Sequence, residues 1–283
     1  MYFHTIIRRL GGLGLLALLA ACSPLGIVNG LVPRDDFQRQ VDLAYGEGPR
    51  QKLDIYVPTA GAPGPRPVVV FFYGGNWQNG KKADYLFVGQ ALASKGFVVV
   101  IPDYRLYPEI SYPTFLEDGA RAVAWVMDHA AELGGDPARI HLMGHSAGAY
   151  NAAMLALDDR WLGARQRHIR SFVGLAGPYD FLPLTDPDLQ RMFSTEPDLR
   201  RTQPVTYADA KDPPVFLASG LEDTTVLPRN AQRLAARLGD VGGQAEEKYY
   251  EGIAHIRIVG ALAAPFRSFA PVLDDVTEFL NRH

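Results

Sequence analysis

The chain has 283 residues, of which 47% are hydrophobic and 21% are charged. This is ordinary globular composition, and the length suits one large α/β domain. The formal net charge of −3 argues against a basic surface and therefore against nucleic acid as a partner. One cysteine and seven scattered histidines give no zinc-site spacing, so we expect neither a metal nor an organic cofactor.

The N-terminus has the pattern of a secretory signal. A short region ending in Arg8 and Arg9 precedes an apolar stretch at 10–20, and small residues lead up to Cys22. The apolar stretch is too short to span a bilayer. The ending "LAAC" resembles that of a bacterial lipoprotein signal, and this resemblance implies that Cys22 becomes the acylated first residue of the mature chain.

Lipoprotein processing would give a signal peptide at 1–21, a polar tether at 22–38 and a folded domain at 39–283. An ordinary signal peptide with an incidental cysteine is the alternative. The lone cysteine favours acylation, because an exported protein then carries neither a stray thiol nor a disulfide. Several acyl chains on Cys22 would anchor the protein stably in the lipid bilayer. We therefore expect a lipid-anchored, periplasm-facing protein of the bacterial envelope, and Ser23 in place of aspartate favours the outer membrane.

The remaining chain alternates between strand and helix patterns. Strands are predicted at 41–46, 51–58, 68–75, 96–104, 139–145, 171–177, 214–220 and 245–252, and helices at 81–96, 112–135, 147–159, 228–240 and the C-terminus. This alternation, with continuous apolar runs in the strands, predicts a mostly parallel sheet covered on both faces. The segment 178–212 is rich in proline and aspartate, and we expect it to form loops and short helices over the C-terminal edge of the sheet.

The stretch "GHSAG" places Ser146 between Gly144 and Gly148, where a predicted strand ends and a helix begins. Roughly 0.2 matches to G-x-S-x-G are expected by chance in a chain of this composition, so the motif alone is moderate evidence. Its strand-to-helix context is what a nucleophile elbow requires, because the strained turn raises the serine hydroxyl above the sheet. The helix N-terminus also favours the negative charge that develops in acyl transfer.

A serine nucleophile needs a base, and the elbow predicts an acid and then a histidine later in the chain. Asp223 follows the predicted strand at 214–220, and His255 follows the next strand. We therefore predict Ser146 as the nucleophile, His255 as the base and Asp223 as the acid that orients it. Glu222 is the alternative acid, and the spacing to the strand end favours Asp223.

Acyl transfer also needs hydrogen-bond donors for the oxyanion. One donor is expected to be the N–H of Ala147, the residue after the nucleophile. The loop "FFYGGNW" is expected to supply others from the N–H groups of Gly75 and Asn76, and Trp77 is a candidate substrate-binding residue. The alternative is that the glycine pair only turns the chain.

With these residues placed, the chain resembles the α/β-hydrolase superfamily and, more narrowly, the esterases of the hormone-sensitive-lipase, carboxylesterase and kynurenine-formamidase group. The resemblance rests on "FFYGGNW", "IPDYRLYPE", "GGDPARIHLMGHSAGAY", "GPYDFLPL" and "GLEDTTV" followed by "GIAH". It implies an α/β-hydrolase fold with a small lid segment. The oxyanion loop of that group commonly starts with histidine, whereas this chain has Tyr73. "GPYDF" resembles a stretch of the formamidases, which implies that Tyr179 and Asp180 line or shape the pocket.

The expected function is that of a serine carboxylesterase acting on small acyl esters through an acyl-enzyme intermediate. Within the hydrolases, the alternatives are an arylformamidase-type amide hydrolase and an esterase that removes acetyl or feruloyl groups from polysaccharides. The export signal argues against the formamidase, since tryptophan catabolism is cytoplasmic. A non-catalytic envelope lipoprotein that binds a ligand on the same scaffold is the alternative from another class, and the presence of every expected catalytic group argues against it.

Overall fold

One eight-stranded sheet organises the computed structural model, which describes residues 24–61 and 64–283. The strands are β1 (Phe37–Ala44), β2 (Lys52–Pro58), β3 (Arg66–Phe72), β4 (Val98–Pro102), β5 (Gly135–His145), β6 (Ile169–Leu175), β7 (Val215–Gly220) and β8 (Ala245–Tyr250). Their order across the sheet is β1-β2-β4-β3-β5-β6-β7-β8. The β1–β2 and β2–β4 pairs are antiparallel, and all pairs from β4 to β8 are parallel. The sheet is therefore mostly parallel, as predicted.

Helices connect most of these strands. They are α1 (Pro24–Gly30), α2 (Leu86–Ala93), α3 (Thr114–His129), α4 (Ala147–Leu157), α5 (Asp159–Leu162), α6 (Pro187–Phe193), α7 (Arg229–Asp240), α8 (His255–Gly260) and α9 (Val272–Arg282). Within 24–61 and 64–283, none of the helices is long and apolar enough to cross a membrane.

The central strands are buried on both faces. All 5 residues of β4 and all 6 residues of β7 are buried. Since successive strand residues point to opposite faces, both faces must be covered, which explains why these strands read as unbroken apolar runs in the sequence. The carboxyl ends of the parallel strands share one edge of the sheet, where ligands bind in folds of this kind.

The N-terminal segment is attached to the domain by α1. The side-chain amide of Asn29 donates to the carbonyl oxygens of Ala83 and Asp84, at 3.0 Å each. Its oxygen accepts from the N–H of Phe87 at 3.2 Å. These three bonds hold α1 against the start of α2.

The polar tether predicted at 22–38 is therefore wrong over its described part. Leu25, Val28 and Val32 recur at helical spacing, and Val32 is buried in the core. Such an apolar stripe gains stability by packing on the domain, which a solvated tether would forgo. The first strand already begins at Phe37. The predicted signal peptide and Cys22 lie outside the described residues.

The segment 178–212 forms loops, α6 and two short 3₁₀ helices at 199–202 and 204–207. The hydroxyl of Tyr150, on α4, donates to the carbonyl oxygen of Thr202 at 2.8 Å. The N–H of Val205 donates to the carbonyl oxygen of Tyr179 at 3.1 Å. The segment is thus folded onto the helix that follows β5, at the edge where the sequence analysis placed it.

Candidate active site

Ser146 occupies the turn between β5 and α4. Its φ of 56° and ψ of −126° lie in a region that residues with a side chain rarely adopt. The N–H of Ser146 donates to the carbonyl oxygen of Leu175 at 2.9 Å, and its carbonyl oxygen accepts from the N–H of Tyr150 at 3.1 Å. The ends of two strands and the first turn of a helix therefore hold the strained backbone in place.

The glycines on either side of Ser146 are required by space. A Cβ on Gly148 would overlap the carbonyl oxygens of Phe72 and Tyr73, and a Cβ on Gly144 would overlap the carbonyl group of Gly148. All of these obstacles are backbone atoms, which have no rotamer to move aside. The G-x-S-x-G spacing thus reflects a helix packed directly against the end of β3.

Three side chains form a continuous hydrogen-bonded relay above this turn. Nε2 of His255 lies 2.8 Å from Oγ of Ser146, and Nδ1 of His255 lies 2.7 Å from Oδ2 of Asp223. An ionised carboxylate only accepts hydrogen bonds, so Nδ1 carries the proton and Nε2 is free to accept from the serine hydroxyl. This tautomer is the one a histidine base requires.

Asp223 is held in its ionised form. Burial alone would raise the pKa of this carboxyl, but hydrogen bonds from His255 and from the backbone N–H groups of Val226 and Thr225 outweigh burial and lower the pKa below its ordinary value. The two backbone bonds are 2.9 Å each and end on Oδ1, which leaves Oδ2 for the imidazole. Glu222, the alternative acid in the sequence, is exposed. The acid in contact with His255 is Asp223.

The loops that carry Asp223 and His255 are joined to each other. The N–H of Leu221 donates to the carbonyl oxygen of Tyr250 at 2.9 Å, and the N–H of Glu222 donates to that of Ile253 at 3.1 Å. These bonds continue the pairing of β7 with β8 beyond the ends of both strands. Because of this continuation, the acid and the base meet although 32 positions separate them in the chain.

His145, to which no sequence motif assigns a role, contacts the predicted base. Its Nε2–H donates to the carbonyl oxygen of His255 at 3.0 Å, and the two ring centroids are 4.9 Å apart. Burial, reinforced by repulsion from His255, lowers the pKa of His145 to about 3. The ring is therefore neutral at physiological pH. His145 directly precedes Ser146 in the sequence, but this position does not reveal that its ring contacts His255.

The loop predicted to donate to the oxyanion lies beside Ser146. Gly75, Asn76 and Trp77 have φ values of 128°, 54° and 56°, so three successive residues are in left-handed conformations. A Cβ on the preceding Gly74 would lie 2.9 Å from Cβ of Ser146, which shows how closely the loop approaches. Gly75, Asn76 and Ala147 line the same cavity as Ser146. The structure thus brings the three predicted donor residues together.

Tyr73 occupies the position where esterases of the similar group commonly have histidine, and its contacts hold the start of the loop. Its hydroxyl donates to Oδ1 of Asp103 at 2.7 Å and accepts from Nη2 of Arg50 at 2.8 Å. Its ring stacks between Tyr85 and Tyr104, with centroid distances of 5.4 and 4.8 Å. The substitution therefore leaves the start of the loop firmly packed.

Trp77 lines the cavity, but very little of its side chain is exposed there. Its side chain is 2% exposed and packs against Phe115, Tyr150 and Phe193, with centroid distances of 5.6, 5.1 and 5.5 Å. A side chain so enclosed offers a substrate only one edge. Its main effect is to fix the loop that contains Asn76.

The expectation that Tyr179 lines the pocket is wrong. Its side chain is completely buried and lies over the backbone of Gly174 and Gly177, where the absence of a Cβ leaves room for a phenol ring. The adjacent residues Pro178 and Phe181 line the cavity instead. The motif therefore shapes the pocket through its backbone, and the large aromatic side chain at its centre points into the protein.

The cavity above Ser146 has a volume of about 620 Å³. It is lined by Gly75, Asn76, Trp77, Asn79, Tyr85, His145, Ser146, Ala147, Pro178, Phe181, Asp186, Leu189, Thr225, Val226, Asn230, His255 and Ile256. Among these residues, Asp186 is the one carboxylate, and its side chain caps α6 by accepting from two backbone N–H groups. No lysine or arginine of the described chain is among them. The walls are thus mainly apolar, and a cavity of this size suits a small organic ligand.

A mostly parallel sheet, a strained serine between a strand and a helix, and an acid and a histidine on the loops after the last two strands define an α/β-hydrolase. The fold expected from the sequence is confirmed. Residues 53–238 match the BD-FAE family, and the chain belongs to that family.

Known relatives include enzymes that act on esters and on a formamide. The isoprenylcysteine alpha-carbonyl methylesterase of Arabidopsis thaliana is 31% identical over 272 residues, 87% of this chain and 63% of the relative. The kynurenine formamidase of Danio rerio is 33% identical over 147 residues, 52% of this chain and 48% of the relative. The chain thus spans about half to two thirds of the length of these curated relatives.

Among solved structures, esterase 2 of Thermogutta terrifontis is 26% identical, with a TM-score of 0.71 over 88% of this chain and 96% of that chain. The same esterase has also been solved phosphonylated by sarin, at 25% identity and a TM-score of 0.72. This similarity extends over nearly the whole of the other protein.

Proposed function

We propose that the chain is a serine carboxylesterase that hydrolyses small acyl esters through a Ser146–His255–Asp223 triad and an acyl-enzyme intermediate. The observation that carries this proposal is the unbroken relay from carboxylate to imidazole to hydroxyl, ending at a strained serine beside a cavity. A structural serine would not need a buried imidazole aligned on its hydroxyl at 2.8 Å. The similarity to esterases supports the same reaction class.

In the first half of the reaction, Oγ of Ser146 bonds to the ester carbonyl carbon while its proton moves to Nε2 of His255. The carbonyl oxygen becomes an oxyanion, which accepts hydrogen bonds from the N–H groups of Gly75, Asn76 and Ala147. Asp223 stabilises the imidazolium through Nδ1–H. When the tetrahedral intermediate collapses, the bond to the alcohol oxygen breaks, and the proton on Nε2 goes to that oxygen.

The second half repeats these steps with water. His255 takes a proton from a water molecule as the water oxygen bonds to the acyl carbon. The intermediate collapses to the free acid, and Oγ of Ser146 recovers its proton from Nε2. No group outside the chain is consumed except water.

The walls of the cavity support an uncharged ester over the formamide alternative. N-formylkynurenine is a zwitterion, and its carboxylate would find no lysine or arginine among the described lining residues to compensate its charge. Phe181, Leu189 and Val226 offer apolar surface to an acyl or alcohol group. The similarity to kynurenine formamidase is what keeps the formamide as the second candidate.

A panel of p-nitrophenyl esters from acetate to palmitate, run beside N-formylkynurenine, tests the substrate class. We expect hydrolysis of the short esters, with kcat/KM falling as the acyl chain grows, and little turnover of the formamide. Faster turnover of palmitate than of acetate would contradict the small-ester proposal. Faster turnover of N-formylkynurenine would favour the formamidase.

Reaction with a fluorophosphonate probe tests the mechanism separately from the substrate. The wild-type protein should become labelled, and Ser146→Ala should not. An unlabelled wild type would instead favour a non-catalytic binding protein built on the same scaffold.

We also propose that Cys22 carries lipid and anchors the protein to the bacterial envelope, facing the periplasm. The sequence "LAAC" and the single cysteine support this proposal. Metabolic labelling with an alkynyl fatty acid should mark the wild-type protein and fail for Cys22→Ala. Equal labelling of both proteins would contradict acylation at this residue.

A further inference from the structure

An apolar groove lies beside the N-terminal helix. It is lined by Leu25, Val28, Phe87, Ile256, Arg257, Val259, Gly260, Phe266 and Phe269. Apart from Arg257, these residues are apolar. The groove thus joins α1, the start of α2, α8 and the segment before α9 into one surface.

Large apolar side chains in the groove, on α1 and directly after α1 point into solvent. Ile256 is 64% exposed and Phe269 is 53% exposed, and both line the groove. Ile27 on α1 is 49% exposed, and Leu31 directly after α1 is 59% exposed. Single exposed apolar residues are common on protein surfaces, but a groove with an apolar rim is typical of an interaction site.

The short distance along the chain from Cys22 to the groove favours the lipid bilayer as the partner. Leu25 lines the groove and is three residues after Cys22, so their Cα atoms are at most about 11 Å apart in any conformation. Because α1 is fixed to the domain through Asn29, a lipid on Cys22 would hold the groove close to the bilayer. A long flexible tether would have imposed no such restriction.

The cationic group at the groove suits the same partner. The guanidinium of Arg257 lies 5.9 Å from the centre of the Phe269 ring. An aromatic ring with an arginine beside it matches the boundary between acyl chains and phosphate headgroups.

We propose that this apolar groove and its rim lie against the surface of the lipid bilayer. The inference rests on the proposed lipid anchor and is independent of the proposed esterase activity. Ile256 lines both the groove and the cavity above Ser146, so the docked protein presents that side of the cavity to the membrane. Esters partitioned into the lipid surface would then reach the cavity without crossing bulk water.

The test uses the acylated full-length protein in vesicles of phosphatidylcholine and phosphatidylglycerol. The chain has one cysteine, which acylation consumes, so one introduced cysteine accepts a fluorophore alone. Phe269→Cys places the fluorophore in the groove, and Ile27→Cys places it at an exposed position of α1, the helix whose Leu25 and Val28 line the groove. Val41→Cys is the matched control, because Val41 is 52% exposed but lies on β1 and outside the groove.

Nitroxide-labelled lipids should quench the fluorophores at 269 and 27 several-fold more strongly than the one at 41. Equal quenching at the three positions, or none, would overturn the proposal. Reaction of the fluorophore with the wild-type protein would also overturn the proposal, because a free Cys22 carries no lipid that could hold the groove at the bilayer. A blue shift at 269 that depends on protein concentration without vesicles would assign the surface to a second copy instead. Hydrolysis of p-nitrophenyl acetate by the same samples reports the esterase proposal separately.

Discussion

The indole N–H of Trp77 donates a hydrogen bond of 2.9 Å to Oδ1 of Asn151, and both side chains are buried. Asn151 lies on α4, the helix that begins directly after Ser146. Asn76 and Trp77 both have positive φ, a conformation that costs on the order of 1–3 kcal/mol per residue and persists only where its surroundings enforce it. This bond therefore ties the strained loop at 75–77 to the helix that begins after Ser146.

Trp77→Phe removes this bond while keeping an aromatic ring. We expect kcat to fall by about 10- to 100-fold, because a small displacement of the donors at Gly75 and Asn76 weakens oxyanion stabilisation. KM should change little, since the substrate meets only one edge of the ring. Steady-state kinetics on p-nitrophenyl acetate measures both constants. A rise in KM at constant kcat would instead assign Trp77 to substrate binding.

The role of Asp223 is tested against that of its neighbour. Asp223→Asn should lower kcat by about 10⁴-fold near neutral pH, because the imidazole loses both its favoured tautomer and its counter-charge. Glu222→Gln, at the adjacent exposed position, should leave kcat within twofold of the wild type, roughly the scatter expected of a surface change. The reverse pattern would identify Glu222 as the acid. The same assay serves for both variants.

His145 is expected to act as a positioning residue through the carbonyl oxygen of His255. His145→Leu removes the bond from Nε2 and should lower kcat about fivefold, the equivalent of about 1 kcal/mol for one hydrogen bond. His145→Gln carries an N–H at a comparable position and should restore most of kcat. If both variants lose activity equally while their thermal stability falls equally, the residue is needed only for packing.

Asp212 gives a pH-dependent prediction that does not involve catalysis. Burial raises the pKa of this carboxyl to about 7. The folded protein therefore binds this proton more tightly than the unfolded chain, whose carboxyl has a pKa near 3.8. Stability consequently falls as pH rises from about 4 to about 7, and the full cost remains at higher pH.

Asp212→Asn removes this cost and keeps an oxygen for the N–H of Asp209, which Oδ2 of Asp212 accepts at 2.7 Å. The melting temperature of the variant should exceed that of the wild type at pH 8, and the difference should shrink towards pH 4. Asp209→Asn is the neighbouring comparison and should show a smaller trend in the same direction, because it removes only the repulsion of Asp209 and leaves the burial of Asp212. A constant difference across this pH range would contradict burial of the Asp212 charge.

The sequence was sufficient to predict the relay because its members occupy positions that the fold dictates. Ser146, Asp223 and His255 each follow a strand, and parallel strands end at the same edge of the sheet. The apolar run of β7 could be read directly, whereas β8, the strand before His255, has the largely polar sequence AEEKYY. Each prediction thus depended on local pattern and chain order, both of which are visible in a single sequence.

The contacts of His145 and Asn151 could not be predicted from the sequence, because no local pattern indicates which distant residue each side chain meets. His145 meets His255 across 110 positions, and Trp77 meets Asn151 across 74. Tyr179 was misplaced because the direction of a loop side chain depends on where space is available, here over two glycines. The short helix at the N-terminus was missed because it spans only Pro24–Gly30, and its apolar residues Leu25, Ile27 and Val28 are too few to distinguish it from a solvated linker.

The pairing of the loops after β7 and β8 has a consequence for how the protein loses activity. β8 is the last strand of the sheet, bonded on one side only to β7. Fraying of that outer strand would pull Ile253 from Glu222 and carry the imidazole away from its carboxylate before the interior of the sheet opened. We therefore expect activity to be lost at a lower temperature than the circular dichroism signal, because activity depends on this edge strand whereas the signal reports all the helices and strands.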